Sequence, residues 1–216
     1  MNIFNFFKKK INAKPQVEEE TEVKLPIKSG VAISKRIDLD STNENSIRNC
    51  FVAFDVETTG LSPTLDRIIE ISAVIFRNGV VHKVFSSLVN PGVLISQSAS
   101  AVNHITNAML IDAPSETELY PQLIDFLGDA LSGKTVMCAH NAKFDFDFLC
   151  NTLSRLGFDA NIVYIDTLNL ARKYLHGLEN YKQNTVEKHF GLVNLSSHRA
   201  ESDAENCGYI LFNLLL

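Results

Sequence analysis

The clearest alternation of apolar and polar positions begins at Phe51. Phe51, Val52, Ala53 and Phe54 form an apolar run long enough for a buried strand and too short for a helix. Arg67–Phe76 (RIIEISAVIF) and Val80–Val89 read as two further strands, joined through Asn78-Gly79, a dipeptide suited to a tight hairpin. Strands one to three are therefore expected to form an antiparallel meander, closed by Asn90-Pro91-Gly92. Residues 95–112 hold only short helical pieces around His104-Ile105-Thr106. Ser115, followed three residues later by Glu118, predicts a capped helix running to about Leu131. Lys134–Ala139 (KTVMCA) follows as a fourth strand, reached through a helix and so parallel to the first. Phe148, Leu149, Leu153 and Leu156 then recur at helical spacing until Gly157. Ile162–Ile165 reads as a fifth strand, and Asp166-Thr167 as the cap of a helix to about Tyr174. Helices near Thr185–Phe190 and Ser202–Leu216 complete the chain. The order predicts an α/β fold: a mixed five-stranded sheet, strands one to three antiparallel, strands four and five parallel, flanked by helices.

The first 49 residues break this rhythm. Phe4, Phe6, Phe7 and Ile11 surround Lys8-Lys9-Lys10, and an acidic stretch, VEEETEVK, follows with little to bury. This segment is expected to be a flexible, solvated arm, open to a polymerase or other protein partner, with a short amphipathic helix at its start as the alternative. Residues 50–216 then form a single domain with a sizeable core, in keeping with 216 residues of which 45% are hydrophobic. No apolar run approaches the ~20 residues that span a bilayer, and the terminus places its apolar residues before its lysines, the reverse of a secretory signal. Cys50, Cys138, Cys150 and Cys207 lack CxxC spacing, so they point to free thiols and a reducing, cytoplasmic setting. Residues 51–216 carry eleven Lys/Arg against eighteen Asp/Glu. An excess of seven negative charges excludes a duplex binder working through a basic patch. Nucleic acid could be handled here only with bound metal to offset the carboxylates.

The candidate chemistry starts where the first strand ends. Asp55 and Glu57 stand two apart, so on a strand both project from one face. Like charges there repel and lose hydration, which a divalent cation between them would relieve. Thr58-Thr59-Gly60 breaks the strand with free N–H groups and a flexible backbone, allowing a ligand's phosphate or sugar to approach. Asp145 falls in the first turn of a helix that follows a parallel strand, the edge where sites in α/β folds collect. His198 and Asp203 are five residues apart, or about 500° around a helix, and so diverge if both are helical. They converge only if His198 lies on the preceding loop, for which Ser196 and Ser197 are suitable. Four acids from three distant segments suit two divalent ions, Mg²⁺ or Mn²⁺, of the kind that clamp both oxygens of a phosphoryl displacement. A histidine of ordinary pKa, ~6.5, can take a proton from attacking water near neutrality.

FDVETTGL, HNAKFDFDFL and HRAESDA, in that order, resemble the three motifs of the DEDDh 3′→5′ exonucleases. Within that group the chain is similar to the proofreading epsilon subunit of bacterial DNA polymerase III and its stand-alone relatives, over about residues 50–216. The resemblance implies a ribonuclease-H-like fold and two-metal hydrolysis releasing 5′-mononucleotides from single-stranded or frayed DNA 3′ ends. It implies Asp55, Glu57, Asp145 and Asp203 as ligands of the two ions and His198 as general base. It further implies Val56, Thr58, Thr59, Gly60, Leu61, His104, His140, Asn141 and Phe144 as holders of the terminal nucleotides. The epsilon subunit continues past its catalytic domain, whereas this chain stops at Leu216, which points away from polymerase attachment by that route. An RNA 3′-end trimmer using the same acids and a non-catalytic nucleic-acid-binding module are the alternatives.

Overall fold

In the computed structural model, residues 29–193 and 199–215 are described. Their strands are β1 (Ala32–Arg36), β2 (Cys50–Thr58), β3 (Ile68–Arg77), β4 (Val80–Leu88), β5 (Val136–Ala139) and β6 (Ala160–Asp166). Their helices are α1 (Glu44–Asn49), α2 (Gln97–Asn103), α3 (Asn107–Leu110), α4 (Glu116–Leu127), α5 (Lys143–Arg155), α6 (Thr167–Tyr174), α7 (Gln183–His189) and α8 (Ala200–Leu214). A 3₁₀ turn, Gly128–Ser132, follows α4. The strands lie in the order β1-β6-β5-β2-β3-β4. β2–β3 and β3–β4 are antiparallel, and β2–β5, β5–β6 and β1–β6 are parallel.

The five expected strands are all present, with the expected directions. The sixth is a correction. β1 lies inside the segment expected to be an arm, and residues 32–49 are part of the fold. Ala32 to Arg36 pair in parallel with Ala160 to Tyr164 of β6, and Ile47 of α1 is buried at 1% exposure. AISKR is short and half polar, as edge strands commonly are, so no buried face marks it in the sequence. Residues 29–31 lead into β1, with the Gly30 N–H on the Ser154 carbonyl, and residues 1–28 lie outside the described residues.

Strand alternation divides the core. Val52, Phe54 and Val56 of β2 join one cluster with Leu119, Leu123, Phe146, Leu149 and Leu153 of α4 and α5. Phe51 and Ala53 point the other way, into a second cluster with Ala204, Cys207, Ile210 and Leu211 of α8. Hence Asp55 and Glu57, which continue the Phe51–Ala53 parity, belong to the α8 face. On α8, buried Ala200, Ala204, Cys207, Leu211 and Leu214 form a stripe three to four residues apart, and Asp203 lies one turn before Cys207. Gly208 lets the helix sit on the sheet, since a Cβ there would run into the Phe76 ring. The β3–β4 hairpin turns through Asn78 and Gly79, both at positive φ (51° and 79°), as a two-residue turn of this hand requires. All four cysteines are free, with Cys138 and Cys150 buried. Among the described residues no helix is long and apolar enough to cross a membrane.

Candidate metal centre and substrate groove

β2 ends on the expected pair. One carboxylate oxygen from each of Asp55, Glu57 and Asp203 can lie within 4.8 Å of the others. The sheet face and the α8 stripe bring them together. Asp203 is held by its backbone: its N–H donates to the Arg199 carbonyl at 3.1 Å, and its carbonyl accepts from Gln183 Nε2 at 2.8 Å. Asp145, in the first turn of α5, is buried at 4% exposure. Its Oδ1 accepts from the Val56 N–H at 3.2 Å, between the two β2 acids in sequence. It stands beside the three-acid cluster and outside it.

Burial with several like charges governs the electrostatics. Burial first, then Asp145, Asp203 and Glu57, holds the Asp55 carboxyl well above the usual carboxylate range. Burial, then Asp203 and Glu70, pushes Glu57 up to about 7, with the Arg199 guanidinium opposing them. Asp145 is also raised, by burial most of all, while the Val56 N–H works against the shift. Such carboxylates hold their protons more firmly than exposed ones, and a bound divalent cation would favour their ionised forms. The donor set is oxygen only, which fits hard divalent ions such as Mg²⁺ or Mn²⁺.

A groove of about 440 Å³ opens beside Glu57. Of the expected substrate residues, Val56, Thr58, Thr59, Gly60, Leu61 and Phe144 line it. Asp66 organises the loop: its carboxylate accepts from Thr59 Oγ1 at 3.2 Å and from the Ser62 N–H at 2.9 Å. The facing wall, Ser96, Ser98, Ala99, Val102 and Asn103 of α2 and its cap, was not legible in the sequence. Its one local signal is Ser96 capping α2 through the Ala99 N–H at 3.2 Å. Asn103, 2% exposed, ties this wall to the loop by donating to the Thr58 carbonyl at 3.3 Å.

Three expected substrate residues stand away from the groove lining. His104 is exposed at the carboxyl end of α2, at φ 59°. His140 turns into the protein, with Nδ1 3.0 Å from the Thr167 hydroxyl and Nε2 donating to the Tyr181 carbonyl at 2.8 Å. Burial lowers its pKa and so favours the neutral ring. Asn141 is exposed at φ 69°, its N–H bound to Asp166 Oδ1 at 3.1 Å. Asp166 also accepts from Leu168 N at 2.9 Å, the expected cap of α6. His198 lies outside the described residues. A charge pair was also missed: buried Glu70 of β3, 2% exposed, binds the half-exposed Arg199 at 2.7 Å.

A mixed sheet carrying an oxygen-only acidic cluster at one strand end, beside an open groove, defines an α/β protein with a place suited to divalent metal. The chain belongs to the exonuclease family RNase_T, which matches residues 52–211, and is by family a nuclease. It is 37% identical over 177 residues to the PolC-type DNA polymerase III of Oceanobacillus iheyensis, covering 82% of this chain and 12% of that one. The PolC-type enzyme of Caldanaerobacter subterraneus is 37% identical over 173 residues, covering 80% and 12%. The chain thus spans about an eighth of the length of these relatives. Exonuclease X, solved in complex with 5′ overhanging duplex DNA, matches at 28% identity and TM-score 0.58, over 76% of this chain and 90% of that one. Escherichia coli exonuclease I in complex with a dT13 oligonucleotide matches at 19% identity and TM-score 0.66, over 76% and 40%. That likeness bears on the fold alone, the expected ribonuclease-H-like class.

Proposed function

We propose that this protein is a divalent-metal-dependent 3′→5′ exonuclease that releases 5′-mononucleotides from single-stranded or frayed DNA ends. The observation that carries the reading is the cluster of Asp55, Glu57 and Asp203, with Asp145 beside it, opening onto the groove of the Thr58–Leu61 loop. Asp55, Glu57, Asp145 and Asp203 would hold two divalent ions, which supply positive charge to the attacking and departing oxygens of an in-line displacement. The strand's last residue lies in the groove, where Leu61 and Val102, 84% and 62% exposed, offer apolar lips to base faces. Phe144 stands at the same wall. His198 accepts the proton of the attacking water. The new phosphorus–oxygen bond forms as the bond to the penultimate 3′ oxygen breaks. The shortened strand keeps a 3′-hydroxyl once that oxygen is protonated, and the freed nucleotide carries a 5′-phosphate.

The test uses matched 5′-labelled DNA and RNA oligomers with Mg²⁺ or Mn²⁺, products resolved at single-nucleotide length. A ladder shortening from the 3′ end on DNA, absent in EDTA, is the expected result. A ladder on RNA alone would replace DNA by RNA as substrate. Internal cuts, or no cuts with either metal, would overturn the exonuclease reading.

A further inference from the structure

We infer that Glu70 and Arg199 form a positioning clamp that fixes the start of α8, and through it the Asp203 carboxylate, against β2; the inference rests on the nuclease reading above. Register supplies the first observation. Glu70 of β3 lies directly opposite Glu57 of β2, so both carboxylates project from the α8 face. Like charges directly opposite each other on a sheet are unfavourable, yet Glu70 is nearly inaccessible, at 2% exposure. Its neutralising partner comes from 129 residues away. Arg199 donates from Nε to Oε1 at 2.9 Å and Oε2 at 3.3 Å, and from Nη2 to Oε1 at 2.7 Å.

The second observation is that the same carboxylate accepts from the backbone of α8. Ala200 N–H, the first of the helix, donates to Glu70 Oε2 at 3.2 Å. Arg199 is the N-cap position and provides no side-chain cap of its own. Glu70 therefore does from β3 what a capping residue does locally, placing negative charge at the positive end of the helix. Asp203 follows one turn on, its N–H bonded to the Arg199 carbonyl. Any slip of Arg199 is carried straight to Asp203. Because both Glu70 oxygens are engaged, Glu70 also stays out of the acidic cluster.

The experiment compares wild type, Glu70→Gln, Arg199→Gln and the double variant. Three quantities are read: kcat and KM on a 5′-labelled oligomer, free Mn²⁺ by electron paramagnetic resonance, and thermal midpoint in EDTA. Each single change is expected to lower kcat and Mn²⁺ affinity about 10–100-fold, the range for residues that orient metal ligands, with KM little changed. The double variant should be no worse than the poorer single, because the two residues act as one unit. Arg199→Lys keeps the charge but loses the fork, and should recover only part of kcat; it replaces Arg199→Gln if that variant does not fold. A merely structural pair would lower the midpoint alone. Wild-type kcat and Mn²⁺ affinity in either single variant or in Arg199→Lys, or losses that multiply in the double, would overturn the clamp. A wild type that binds Mn²⁺ without cutting any oligomer removes the nuclease reading and leaves the clamp to be judged on Mn²⁺ binding. A wild type that binds none overturns both.

Discussion

The two sides of the acidic site are anchored in different ways. Asp55 and Glu57 stand on β2, which is hydrogen-bonded to β3 on one side and β5 on the other. Phe51 to Phe54, just before them, are all at most 2% exposed. Sheet register alone fixes where these carboxylates lie. Asp203 stands on a helix whose start is tied by contacts distant in sequence, Glu70 to Arg199 and Gln183 to the Asp203 carbonyl. A strand in mid-sheet can tolerate the loss of a side chain without moving. A helix start held by a few groups cannot. Substitutions on the β2 side should therefore act through charge, and those on the α8 side through placement.

The sharpest test of the first half is Asp145, whose carboxylate lies against β2. Asp145→Asn keeps an acceptor for the Val56 N–H and removes a buried carboxyl whose ionisation the fold opposes. It should abolish hydrolysis while the metal-free protein stays folded and loses less stability as pH rises, because one carboxyl whose ionisation the fold opposes is gone. Turnover with Mg²⁺ and thermal melting in EDTA measure both. Near-normal turnover would remove Asp145 from the site.

On the other side, His198→Ala should cut kcat by ~10²–10⁴, the usual cost of losing a general base, while titrating with Mn²⁺ as the wild type does. The wild-type rate should rise with pH through the histidine's pKa, and the variant should lose that limb. If the variant kept both rate and limb, another group would be accepting the proton.

The contrast in anchoring also explains what could be read from the chain. Asp55 and Glu57 were legible because a strand's two-residue period is local, and the apolar run before them sets the face. Asp145 was legible because α5 follows β5 within a few residues. Asp203 and His198 came from their motif, since no local rule brings α8 to β2. Glu70 was hidden because, within RIIEISAVIF, it reads as one polar residue in a strand, and its partner lies 129 residues on. β1 was hidden for a related reason: its neighbour β6 is more than a hundred residues away, and AISKR has no apolar stripe. The α2 wall was missed because QSASAVN is small and polar, which suits a groove lining and an ordinary surface equally.

A smaller effect separates charge from placement in the metal-free protein. Glu57 sits at about 7 in the fold against an ordinary 4.5, and Asp55 and Asp145 are raised too. A carboxylate with a raised folded-state pKa binds its proton more firmly when folded. Its stabilisation is complete below the unfolded value and is lost as pH rises through the folded one. In EDTA the stability should therefore fall between about pH 4.5 and 7, by up to ~3 kcal/mol for Glu57 taken alone, and the thermal midpoint with it. Glu57→Gln should flatten this slope, and Mn²⁺ should raise the midpoint more at pH 7.5 than at pH 5. A midpoint that climbs steadily across the window in EDTA would contradict the raised carboxylates.

The smallest effect is expected farthest from both anchors. β1 lies three strands from β2, at the edge of the sheet, and residues 1–28 precede it. Removing 1–28 should leave turnover on short oligomers and the thermal midpoint unchanged, which suits a role for that segment in location or partnering. Removing 1–48 is a different cut. It strips the backbone bonds of β1 to β6 and the Gly30 N–H to Ser154 carbonyl bond. It also removes Ile47, whose burial contributes ~1.5–3 kcal/mol. The edge of β6 left bare is a template for association. The longer cut should therefore melt earlier and aggregate, while its folded fraction keeps its turnover, since the contacts it takes from α8, Arg48 on the Leu215 carbonyl and beside the Phe212 ring, lie at the far end of that helix from Asp203. Turnover lost in a folded 1–28 deletion would give those residues a direct part in the site. A 1–48 deletion as stable as the full chain would mean that β1 adds nothing to the sheet it completes.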